Sequence, residues 1–99
     1  VGTAVVAYQL GTTLYLDAVL PEGAEVPVTY GQLARLMWEN AGRPEPEAAL
    51  APEADETQTA MVWAVENKLI STGKTADAYV GRVGVIAAWH KAQMLEAAK

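Results

Sequence analysis

Ninety-nine residues, 52% of them hydrophobic, suffice for one small domain and are too apolar for a chain disordered throughout. A formal charge of −5 argues against phosphate-backbone binding, which needs Lys and Arg to displace counterions; zero Cys excludes disulfides, thiolate metal sites and a Cys nucleophile. No apolar run is long enough to cross a membrane, because Gln9, Gly11, Thr12, Thr13 and Asp17 interrupt the N-terminal region. The sequence begins at Val1, which is compatible with a processed product or a piece of a longer protein, so the lack of a leader here excludes nothing about secretion.

The apolar content is Ala, Val and Leu with three Trp and no Phe, a mixture that favours closely packed helices. Thr3-Ala-Val-Val-Ala-Tyr-Gln-Leu10 reads as a helix stopped by Gly11, with a β-branched strand as the alternative. Leu14 to Leu20 forms a short helix or an extended turn leading into Pro21-Glu-Gly23. Thr29 and Gln32 then stand in capping-box positions, so a helix is predicted over about residues 30–41, with Leu33, Leu36, Met37 and Ala41 on one face. Gly42 followed by Arg43-Pro44 supplies the left-handed cap and the stop.

Residues 44–55 read as a solvated acidic connector punctuated by Pro44, Pro46 and Pro52. No Gly lies between 44 and 72, so the turn a Ca²⁺ loop requires is missing. Asp55 or Thr57 caps the next helix, in which Ala60, Trp63, Ala64 and Asn67 share a face and which stops near residues 68–70 before Ser71-Thr-Gly73. The last helix starts near Gly81 or Arg82 with a poorer cap, and turns Val85, Ile86, Trp89, Ala92 and Leu95 inward.

Two of these segments echo one another. Val26-Pro-Val-Thr-Tyr-Gly-Gln-Leu-Ala-Arg-Leu-Met-Trp-Glu-Asn-Ala-Gly42 is followed, at an offset of fifty-two residues, by Val80-Gly-Arg-Val-Gly-Val-Ile-Ala-Ala-Trp89. The offset implies a duplicated unit, with unit one over about residues 1–43, the connector over 44–55 and unit two over about 56–99, all within one domain.

Chemistry is sparse. His90 is the sole His and Ser71 the sole Ser, so a triad would have to be built from distant parts of the chain. Twelve carboxylates supply no pair of defined spacing for glycoside hydrolysis. No cofactor or metal is implied, and the expectation is a protein that is not an enzyme. Trp63 and Trp89 fall on apolar helix faces and read as core, whereas Tyr30 and Trp38 sit near helix edges and are the better surface aromatics.

Ala64-Val-Glu-Asn-Lys-Leu-Ile-Ser71 resembles the first helix and turn of an S-layer homology repeat, commonly A-x-E-x-G-I-x-x-G; Val28-Thr-Tyr-Gly-Gln-Leu-Ala-Arg-Leu-Met37 resembles its second helix, commonly V-T-R-A-E-F-A-x-M-L. The resemblance covers most of residues 4–95 and implies an all-α bundle of about four helices, made from two degenerate helix-loop-helix units. It further implies a noncatalytic module of a bacterial envelope or secreted protein, located at the cell surface and serving attachment to cell-wall polysaccharide or surface assembly. The family's ligand Arg corresponds to Tyr30 in the first unit and to Arg82 in the second, so Arg82 is the leading ligand-binding candidate, with Tyr30 and Trp38 beside it. The family's acidic residue is replaced by Gln32 and Gly84, and Lys68 stands where it usually has Gly. Family grooves are built from three repeats, whereas at most two are visible here. The alternatives are a helical protein–protein module that has lost the sugar, and a helix-turn-helix DNA reader suggested by Thr29-Tyr-Gly-Gln-Leu-Ala-Arg35, which lacks the basic second helix such readers need.

Overall fold

The computed structural model describes residues 16, 18–21 and 24–98. Among them the protein is all-α, with α1 at Tyr30–Asn40, α2 at Glu56–Glu66 and α3 at Arg82–Ala97. Three helices stand where about four were expected; the helix predicted near residues 3–10 lies outside the described residues. Of the following segment, Leu16, Ala18 and Val19 are helical, and the Leu20 N–H donates to the Leu16 carbonyl at 2.9 Å.

Each helix start follows from local chemistry. Thr29 is the N-cap of α1, and its Oγ1 accepts the Gln32 N–H at 3.2 Å. The reciprocal arm of this box is displaced by one residue, since Gln32 Oε1 accepts from the Val28 N–H and not from that of Thr29. Asp55 and Gln58 make the complete box on α2, with both arms formed at 2.8 and 2.9 Å. Gly81 gives α3 no side-chain cap, as the sequence predicts.

The ends of α1 and α2 are the same motif. After α1 the Gly42 N–H donates to Glu39 O and the Arg43 N–H to Trp38 O; after α2 the Lys68 N–H donates to Val65 O and the Leu69 N–H to Ala64 O. Both are Schellman closures, which need a left-handed residue just past the cap. Gly42 fills that position with φ 90°, but Lys68 fills its counterpart with φ 61°, a conformation that costs any residue carrying a Cβ.

The core is wholly apolar among the described residues. Leu33, Ala34, Met37 and Trp38 of α1 join Ala60, Trp63 and Ala64 of α2 and Val85, Ala88, Trp89 and Ala92 of α3, with Leu16, Leu20, Leu69, Ile70 and Val80 closing the cluster. Trp63 and Trp89 are buried as expected. Trp38 is not at an edge: only 6% exposed, it belongs to the core, because the stripe of α1 facing its neighbours runs through 33, 34, 37 and 38. Leu36 and Ala41, expected on one face with Leu33 and Met37, pack against the core only in part.

An antiparallel bridge between Thr29 and Tyr79 joins the two halves of the chain. The Tyr30 N–H donates to Ala78 O at 3.0 Å and the Val80 N–H to Val28 O at 2.9 Å, a register that sets Val28 opposite Val80. These two residues are related by the fifty-two-residue offset of the echoing segments. One further bond, from the Gly31 N–H to Ala76 O at 2.9 Å, draws the backbones so close that a Cβ on Gly31 would meet Ala76 O and Ala76 Cβ at 3.0 Å and the Thr57 methyl at 3.1 Å.

Two substitutions test these backbone arguments in urea denaturation. Gly31→Ala should destabilise the fold by about 1–3 kcal/mol, the usual cost of overpacking against atoms that cannot move aside. Lys68→Gly should stabilise it by about 1 kcal/mol, by removing the Cβ from a left-handed position.

Candidate functional site

Tyr30 and Arg82 are the first residues of α1 and α3. They occupy equivalent positions in the echo, and each follows a segment of the bridge, so one short seam positions both helix starts. The two surroundings differ. At the start of α1 the backbone donors are engaged: Tyr30 N–H by Ala78 O, Gly31 N–H by Ala76 O and Gln32 N–H by Thr29 Oγ1. At α3 the cap lacks a side-chain acceptor, and Arg82 is half-buried with no side-chain hydrogen bond or ion pair among the described residues. An uncapped first turn with a guanidinium beside it suits an anion.

Tyr30 is half-buried, and the Lys74 ammonium lies 5.5 Å from its ring centroid, within cation–π range. A cation therefore stands over the aromatic ring at the place where the resemblance would have put an arginine. It comes from the loop of the other half of the chain.

Trp38 is separate from this pair. Its indole Nε1 donates to Pro44 O at 2.8 Å, and the Arg43 guanidinium covers its ring at 5.3 Å. Both contacts fasten the start of the connector to α1. Trp38 is thus a structural anchor, and its burial removes the exposed face that a sugar platform would need.

The acidic stretch is more constrained than a solvated connector. Glu66 accepts the N–H groups of Glu47 and Ala48 at 2.9 and 2.7 Å, which pins the connector onto α2. Glu56 joins Glu39, Arg35 and Arg43 in a four-membered ion-pair cycle with N–O distances of 2.9–3.5 Å. Arg35–Glu39 and Arg43–Glu39 both have i,i+4 spacing, a local signal that the sequence carries; the pairs to Glu56 cross elements, and no local pattern announces them. These side chains are 41–54% exposed, so each pair is worth little by itself.

His90 is exposed on α3 and Ser71 exposed in the loop after α2, with no hydrogen bond joining them to one another or to an acid among the described residues. No group of three or more His, Cys, Asp or Glu residues forms a metal-ligand cluster among the described residues. None of the described helices is long and apolar enough to cross a membrane.

Compared with known proteins, the chain matches no family model, no curated protein and no solved structure.

The anchoring role of Trp38 has a direct check. Trp38→Phe, which keeps an aromatic ring and deletes the Nε1 donor, should cost about 1 kcal/mol in urea denaturation. It should leave binding of any ligand at Arg82 unchanged.

Proposed function

We propose that the chain is a noncatalytic module of two degenerate S-layer-homology-like units that attaches a bacterial envelope or secreted protein to acidic cell-wall polysaccharide. The observation that carries the proposal is Arg82, a half-buried guanidinium with no acid partner among the described residues, beside an uncapped helix start. A buried or half-buried Arg is normally paired, and a carboxylate-bearing sugar would complete it by charge-assisted hydrogen bonds.

Two backbone facts support the relationship between the units. The bridge register pairs Val28 with Val80, the counterparts at the repeat offset, as expected where two copies of one unit meet about a local twofold. Lys68, which takes the place of the family's usual Gly, adopts the left-handed conformation that a Gly would favour. The loss of Arg at position 30 argues that the two units contribute unequally.

A second reading is favoured by Val28, Tyr79 and Val83, large hydrophobic residues exposed by 51, 76 and 54%. They suit a helical protein–protein module that has kept the fold and lost the sugar. Isothermal titration with purified acidic cell-wall polymer separates the two. Binding that weakens about tenfold on Arg82→Ala, the size expected for losing one charge-assisted contact, supports attachment. No heat at high protein concentration removes it, and self-association in a sedimentation concentration series then becomes the expected behaviour.

A further inference from the structure

The connector and α2 enclose an open groove of about 460 Å³, within the size range of small-ligand sites. Leu50, Met61 and Val62 supply its apolar surface, and Glu53, Gln58 and Lys74 its polar groups. This is the surface that the pinned connector creates: with Glu66 holding Glu47 and Ala48, and Asp55 fixed in its capping box, both ends of residues 49–54 are tied down.

The polar groups here keep capacity that the fold does not use. Gln58 uses its Oε1 in the capping box, which leaves its amide N–H donors unengaged among the described residues. The Lys74 side chain makes no ion pair among the described residues, and its ammonium lies 5.5 Å from the centroid of the Tyr30 ring. A ring face attracts a cation without neutralising it, so Lys74 keeps its full charge and its donors while its position is narrowed. Glu53 adds acceptors. Donors, an ammonium and an acceptor around an apolar surface match a ligand with an acid, neighbouring hydroxyls and one apolar face. A fatty acid would make no use of Glu53 and Gln58, which stay exposed to water at the groove; a sugar acid would engage them.

We propose that this groove is a second contact for acidic glycan, in which Lys74 holds the sugar carboxylate and Tyr30 positions Lys74. The proposal rests on the polysaccharide-attachment reading and adds a site that neither the echo nor the resemblance indicates. It gives Tyr30 a role in place of the missing arginine: the cation is supplied across the seam by the loop of the second unit.

The test is a ¹⁵N-resolved titration with an oligogalacturonate and, in parallel, its neutral methyl ester. Amide shifts at Gln58, Met61, Val62 and Lys74 are expected with the acid and not with the ester. Lys74→Ala should weaken binding about tenfold and Lys74→Arg should largely restore it, in line with one charge-assisted contact. Tyr30→Leu should weaken binding less than Lys74→Ala does. Equal shifts with the ester overturn the proposed carboxylate contact. Binding that is lost in Arg82→Ala and unaffected by Lys74→Ala overturns the groove and leaves the attachment reading standing. No binding by the unmodified chain to this acid or to the purified cell-wall polymer overturns both.

Discussion

The close approach of residues 76–80 to the first turn of α1 is the constraint on which the rest of the structure depends. A helix start leaves backbone donors without intrahelical partners, and here two of them are satisfied by Ala76 and Ala78 carbonyls from the other half of the chain. That arrangement works only because Gly31 has no Cβ, and it brings the Thr57 methyl of α2 to the same point. Three parts of the chain therefore meet at one glycine. Any surface built on α1, on the loop before α3 or on the start of α2 inherits its position from this contact.

Polar groups in this protein hold the covering segments in place more than they hold the core. No polar or charged residue among those described is buried, so the interior is specified by shape alone. The connector would have little to order it by hydrophobic burial, since most of residues 45–53 are exposed. Trp38 Nε1, the Glu66 carboxylate and the Asp55–Gln58 box act at its start, middle and end. The four-membered Arg–Glu cycle adds register between α1 and α2. As exposed pairs are individually weak, its value lies in geometry more than in energy.

What was legible in the sequence was chemistry acting within one or two turns. The Thr29 and Asp55 caps, the Gly42 stop and the weak start at Gly81 depend on neighbours a few residues away, and the structure reproduces all of them. The same spacing argument misplaced Trp38. Apolar residues on this eleven-residue helix permit a stripe through 33, 36 and 37 or one through 33, 34, 37 and 38, which share Leu33 and Met37, and the neighbours decide between them. Lys74, Glu66 and the role of Gly31 were illegible for another reason. Each acts on a residue more than fifteen positions away, and nothing in the local pattern of a loop lysine or a helix glutamate points to its partner.

The starts of α1 and α3, which hold equivalent positions in the echoing segments, differ in what they use their surroundings for. Thr29 caps α1 where Gly81 leaves α3 open, Gln32 reaches back to Val28 where Gly84 has no side chain to do so, and Tyr30 lies under a borrowed lysine where Arg82 stands without a partner among the described residues. A helix start can satisfy its donors internally or present them outward, but one set of N–H groups cannot do both. In α1 they are committed to the seam that joins the halves. That commitment fixes the geometry around α3, whose first turn has no side-chain cap and is the start in this pair better suited to receive an anion.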